Sequence, residues 1–243
     1  LGSATFEKWN YSTFNALQNP LGISTFGACT VYTFKGSTAG IVDPLKPTPL
    51  DAGPQITVNG PNGTKQLPQQ AGDVGSYYAT LGSTQQGGQP LYLDAGDYTI
   101  TGPGGTGVGA FSTPIGVESL TWTNADQVNT VQRSAGQLIT WTGSDPNSTV
   151  TMTGFSIKLG TALDGSDSAG ATFVCTAKES DQQFTIPAAV LLSLPEGSEI
   201  SGIPIPTGSL SVGGGTLGSF TAPGIDYGIV TSSVSTGKTV TYQ

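Results

Sequence analysis

Hydrophobic positions recur at every second residue through much of this chain, the spacing of a strand with one buried face. Leu120 and Trp122 alternate with Ser119, Thr121 and Thr123, and Gln137-Leu138-Ile139-Thr140-Trp141-Thr142 repeats the theme before a polar turn. Val150 and Met152 set one phase. After Gly154, residues Phe155, Ile157 and Leu159 resume in the other, which is the pattern expected of a β-bulge at the glycine. Further strands are predicted over 28–34, 76–81, 171–177, 183–186, 209–212 and 238–242. A helix is predicted only over 187–194, where Pro187 suits a first turn and Pro195 a stop. Near the N-terminus, Phe6, Trp9, Thr13, Phe14 and Leu17 fall on a helical stripe, so a short helix before Asn19-Pro20 competes with an extended aromatic arm.

One pattern is repeated. Leu50-Asp51-Ala52-Gly53 leads into Gln55-Ile56-Thr57-Val58-Asn59 and the turn Gly60-Pro61-Asn62-Gly63. Leu93-Asp94-Ala95-Gly96 leads into Tyr98-Thr99-Ile100-Thr101 and the turn Gly102-Pro103-Gly104-Gly105. Each copy reads as turn, strand, turn, so the repeat specifies architecture. A proline-rich stretch over 41–54 precedes the first copy, and a Gln/Gly-rich stretch over 83–90 separates the two as an exposed loop. Short strands punctuated by Gly, Pro, Asn and Asp argue for an all-β protein of one or two antiparallel β-sandwich lobes, Ig-like or jelly-roll-like, with one short helix near 187–194. The expected boundary lies near residue 112. Residues 1–112 would hold an N-terminal β-rich lobe with the aromatic arm and both repeat units, and residues 113–243 a C-terminal β-sandwich lobe.

Charge narrows the function classes. Lys and Arg number 8 against 16 Asp and Glu, a net charge of −8, and only 10% of residues are charged. No basic cluster exists to meet nucleic acid or an anionic lipid surface. No apolar run approaches the ~18 residues of a membrane-spanning helix. The first residue is Leu rather than Met, which fits a processed, exported protein. The two cysteines, Cys29 and Cys175, are expected to form a disulfide. It would either cross between lobes or place the strand of Cys29 in the second lobe.

Candidate chemistry is sparse. The chain has no histidine, which removes Ser-His-Asp triads, Cys-His pairs and His-ligated metals. Asp51 and Asp94 in Asp-Ala-Gly invite comparison with aspartic proteases, but alanine replaces the hydroxyl residue and the spacing is short. An Asx-type turn is the expected role of each aspartate. Asp94 with Asp97, and better Asp164 with Asp167, could offer oxygen ligands to Ca²⁺. Trp9, Tyr77 and Tyr78 form a candidate carbohydrate platform. Tyr77 and Tyr78, being neighbours in a strand, must point to opposite faces. Trp122 and Trp141 are expected to face the core. A hydrolase built on two carboxylates has no particular pair to recommend it.

The run Gly170-Ala171-Thr172-Phe173-Val174-Cys175-Thr176-Ala177, followed by Phe184-Thr185-Ile186-Pro187-Ala188-Ala189-Val190-Leu191-Leu192-Ser193-Leu194-Pro195, resembles a pattern in uncharacterised secreted β-rich proteins of acidobacteria. The repeat units, Leu120-Thr121-Trp122 and Thr140-Trp141-Thr142-Gly143 extend the likeness over most of residues 50–230. It implies an exported bacterial protein and no particular activity. The resulting expectation is a secreted, non-enzymatic, self-assembling structural subunit of a cell surface, matrix or filament, a homo-oligomer joined through an arm bearing Phe6, Trp9, Tyr11 and Phe14. The other expectation is an extracellular carbohydrate-binding or adhesion module.

Overall fold

A computed structural model describes residues 1–8, 22–35, 47–82, 90–143, 145, 148–160, 168–197, 199–200, 203–204 and 207–243. Its strands run in chain order as β1 (Gly2–Thr5), β2 (Glu7–Lys8), β3 (Gly22–Phe26), β4 (Cys29–Lys35), β5 (Thr48–Pro49), β6 (Gln55–Gly60), β7 (Gly63–Gln70), β8 (Asp73–Ala79), β9 (Gly96–Gly102) and β10 (Phe111–Val117). They continue as β11 (Leu120–Trp122), β12 (Thr130–Val131), β13 (Gln137–Gly143), β14 (Thr149–Lys158), β15 (Ala169–Lys178), β16 (Gln183–Ile186), β17 (Glu199–Ile200), β18 (Ile203–Pro204), β19 (Gly208–Phe220) and β20 (Gly228–Tyr242). The one α-helix among the described residues, α1, is Ala188–Leu192. The protein is therefore all-β and sandwich-like with one short helix. Pro187 is the residue before the first helical turn rather than within it, in extended conformation at φ −64° and ψ 146°.

The described residues fall into two compact units. One comprises Leu1–Leu17, Asp43–Glu118 and Gly215–Ser233; the other comprises Gln18–Val42, Ser119–Gly214 and Val234–Gln243. A single boundary near 112 does not describe them, because each unit draws on three separate stretches of chain. The physical reason lies in β19 and β20, which are long enough to contribute residues to both units.

In the first unit a six-stranded sheet runs β1-β8-β7-β6-β9-β10 with antiparallel neighbours. Alternation places Ile56 and Val58 of β6, Leu67 of β7 and Tyr98 of β9 in its core. Phe6 is buried there too, edge-on to the Tyr77 ring at 5.8 Å. Phe111 stacks on Phe220 with ring centroids 4.6 Å apart, which seats the end of β19 on the same core.

In the second unit a seven-stranded sheet, β12-β20-β19-β14-β15-β4-β3, shares one core with the three-stranded sheet β11-β13-β16. Trp122 and Trp141 pair directly across β11 and β13 and both are buried. The expected bulge at Gly154 is absent. β14 and β15 keep one register from Thr149↔Lys178 to Lys158↔Ala169. Gly154 and Ser156 simply continue the inward phase of Val150 and Met152. Glycine is required because a Cβ at 154 would strike the Phe173 ring and approach the Tyr242 hydroxyl to 2.6 Å. Phe155 lies on the opposite face, stacked with Phe34 of β4. The apparent change of phase marks a second apolar face, not an extra residue.

Candidate functional site

The most densely bonded polar cluster in the first unit is built by the repeat. β6 and β9 pair antiparallel, with Val58 opposite Ile100. These residues occupy equivalent places in the two copies, so the copies are related by an approximate local two-fold. That relation brings the opening turn of each copy against the closing turn of the other. Asp51 accepts the Gly53 N–H at 2.9 Å, the expected Asx-type turn. Its second carboxylate oxygen accepts both the Thr106 N–H and hydroxyl at 3.1 Å. Asp94 accepts the Asn62 side-chain amide at 2.8 Å. Gly53 and Gly96 obey the same exchange. Both have positive φ, and a Cβ at either would press on the other copy's closing turn, at Pro103 and Gly104 or at Pro61.

Tyrosine hydroxyls complete the lock. The Tyr77 hydroxyl accepts the Ala52 N–H and donates to the Gly53 carbonyl, each at 2.9 Å. The Tyr98 hydroxyl accepts the Asp94 N–H and donates to the Asp94 carbonyl, each at 3.0 Å. Tyr92 donates to the Gly63 carbonyl at 2.7 Å, with the Lys65 ammonium 5.8 Å from its ring centre. The Gly53 amide first, and the Thr106 amide next, hold the Asp51 carboxyl below its ordinary pKa. Burial, with a smaller contribution from Tyr98, pushes the Tyr92 hydroxyl up. An aspartate held ionised by backbone amides is a fixed acceptor. Every aspartate side-chain bond named here ties the opening turn of one copy to itself or to the closing turn of the other.

The remaining candidates are scattered. Tyr77 is 1% exposed and Tyr78 is 53% exposed, so the two face opposite ways and only Tyr78 meets solvent. Phe6 belongs to the core of its own unit rather than to a free arm. Trp9, Tyr11 and Phe14, and both aspartates of the candidate Ca²⁺ loop, Asp164 and Asp167, lie outside the described residues. Among the described residues no group of three or more His, Cys, Asp or Glu could hold a metal ion, and no helix is long and apolar enough to cross a membrane. Cys29 and Cys175 form a disulfide directly across the β4–β15 ladder. The strand of Cys29 thus belongs to the second unit, the second of the two placements its spacing allowed.

Sequence patterning did not reveal Asn124 or Glu179. Asn124 takes the Trp122 indole N–H at 2.8 Å and the Thr140 N–H at 3.0 Å. Glu179 is buried, and its carboxylate accepts the Asp145 N–H at 2.9 Å while its carbonyl accepts the Trp141 indole N–H. A Cβ at Gly143 would overlap that carboxylate, which explains the glycine that closes Thr140-Trp141-Thr142-Gly143. Their only advance signal was the pair of tryptophans, since a buried indole N–H needs an acceptor. No protein-family model matches the chain, and no curated protein matches it in sequence.

Proposed function

We propose that this is a secreted, non-enzymatic structural protein, a subunit of a surface, matrix or filament that self-assembles through strand edges. The observation that carries this reading is β3. It is the outermost strand of the seven-stranded sheet, and its pairing among the described residues is with β4 alone. Gly22-Ile23-Ser24-Thr25-Phe26 contains no charge and no proline, and Ile23 is 57% exposed. Soluble monomers usually guard an edge with lysine, proline or a bulge. The edge strand β10 of the other sheet carries such a guard in Pro114. Among the described residues, an edge paired on one side only in one sheet and guarded in another suits a strand that recruits a second copy. The low charge of the whole chain and the disulfide suit an extracellular subunit.

The test is light scattering after size exclusion, with negative-stain electron microscopy, on the native protein and on Ile23→Lys. The native protein is expected to form ordered oligomers. The lysine variant is expected to remain monomeric with an unchanged far-UV spectrum. A native protein that stays monomeric at high concentration would overturn the reading. The alternative, a carbohydrate-binding or adhesion module, is favoured by exposed Tyr78 alone. It predicts sugar binding that is lost in Tyr78→Ala.

A further inference from the structure

The two Asn-Gly pairs of this chain, Asn59-Gly60 and Asn62-Gly63, both lie in the β6–β7 hairpin. Such a pair is chemically labile. The glycine amide nitrogen, unshielded by a Cβ, attacks the side-chain carbonyl carbon of the asparagine before it. Ammonia leaves with the proton of that amide, and water from the solvent opens the five-membered imide to aspartate or to its β-linked isomer. The fold treats the two pairs differently. Asn59 is fixed within the sheet, opposite Thr64 of β7 and Thr99 of β9, and its side-chain carbonyl accepts the Thr64 hydroxyl at 2.8 Å. A Cβ at Gly60 would overlap the Tyr98 ring, so packing accounts for that glycine. Asn62 is exposed, in the turn that the ladder leaves unpaired. Gly63 has φ +87°, and a Cβ there would meet nothing within 4 Å, so the imide has room to close.

What restrains Asn62 is the repeat. Its side-chain NH₂ donates to the Tyr92 carbonyl at 3.0 Å and to the Asp94 carboxylate at 2.8 Å. Ring closure turns the side chain toward Gly63 and expels that nitrogen, so both bonds must break. The bond to the carboxylate is the stronger of the two. After conversion the donors are gone, and a second carboxylate stands beside Asp94, where like charges repel. The other half of the exchange has no counterpart. Gly104 occupies the place equivalent to Asn62, and Asp51 bonds Thr106 instead.

We propose that Asn62 is a site of spontaneous, one-way deamidation, restrained by Asp94, whose product releases the turn Leu93-Asp94-Ala95-Gly96 from the closing turn of the first copy. The site is independent of the assembly reading. The test incubates the native protein, Asp94→Ala and Asp94→Asn in mildly alkaline buffer and follows both asparagines by tandem mass spectrometry of their shared peptide. In the native protein the mass gain of an amide turned carboxyl is expected at Asn62 and not at Asn59. Asp94→Ala should speed conversion of Asn62 about tenfold, the value of one hydrogen bond to a charged group. Asp94→Asn keeps a carbonyl acceptor and should restore part of the restraint. The converted fraction, separated on anion exchange by its added negative charge, should melt below the unconverted one. Native protein still intact at Asn62 when the urea-unfolded chain is fully converted, or converting as fast at Asn59, would overturn the site. Equal rates in the native protein and Asp94→Ala, or a parallel rise at Asn59 that reports opening of the hairpin, would overturn the role of Asp94. Equal melting of the two fractions would overturn the release of the turn.

Discussion

Tyr77→Phe removes one oxygen and nothing else, and the fold supplies a matched control in the next residue. The Tyr77 hydroxyl joins the Ala52 N–H to the Gly53 carbonyl at 2.9 Å each, and the Gln69 amide at 3.2 Å. Ala52 is fully buried, so its N–H cannot turn to water when the acceptor goes. A buried group left without a partner costs about 1–3 kcal/mol. With the Gly53 carbonyl also losing its donor, the expected loss is about 2–3 kcal/mol. In a chain of this length that is a fall of roughly 4–12 °C in melting temperature. Tyr78→Phe changes an exposed side chain and should stay within about 0.5 kcal/mol of the native protein. Differential scanning calorimetry on both variants is the assay. It sees the first unit directly, whereas the described tryptophans lie in the second. Equal melting of the two variants would refute the claim that tyrosine hydroxyls fasten the turns of the repeat.

Other consequences can be checked with the same material. Gly154→Val drives a side chain into the Phe173 ring and Tyr242 hydroxyl. It should cost about 2–3 kcal/mol by overpacking, read as a lower urea midpoint from Trp122 and Trp141 emission; an unchanged midpoint would reinstate a bulge. Replacing Cys29 and Cys175 together with serine should cost about 2–5 kcal/mol, because the bond spans 146 residues of sequence; equal melting of the oxidised and serine proteins would contradict it. Asp51 has a depressed folded pKa, so its stabilisation is present above the ordinary carboxylate range, near pH ~4. That stabilisation is lost as pH falls through the folded value. The stability gap between the native protein and Asp51→Asn should therefore shrink on acidification, and a constant gap would contradict the lock. Burial raises the pKa of Tyr242, so its contribution is full below pH ~10 and declines as pH rises beyond that. Phenolate absorbance should show one tyrosine ionising only with unfolding.

Some of this organisation was written locally and some was not. The Asx-type turn at Asp51, the inward tryptophans and the β-strand alternation are short-range features, and periodicity exposes them. The disulfide followed from a cysteine count. The exchange between copies of the repeat was hidden because Asp51 and Thr106 are 55 residues apart, and nothing in a turn motif names its distant partner. β7 was also hidden. Only Leu67 of its eight residues is buried, so the strand shows no alternation of apolar residues. The phase change after Gly154 was visible but misread, because a strand with apolar side chains on both faces mimics a bulge when a glycine and a serine occupy the inward positions. The interleaving of the two units depends on the length of β19 and β20, whose Gly-, Ser- and Thr-rich middles weaken the apolar signal.

Assembly through the β3 edge is tested most directly by amide hydrogen exchange followed against protein concentration. Residues 22–26 should exchange fast in dilute solution and become protected as the protein assembles, while β14 and β15 stay protected throughout. Assembly without any change in exchange at β3 would contradict the claim.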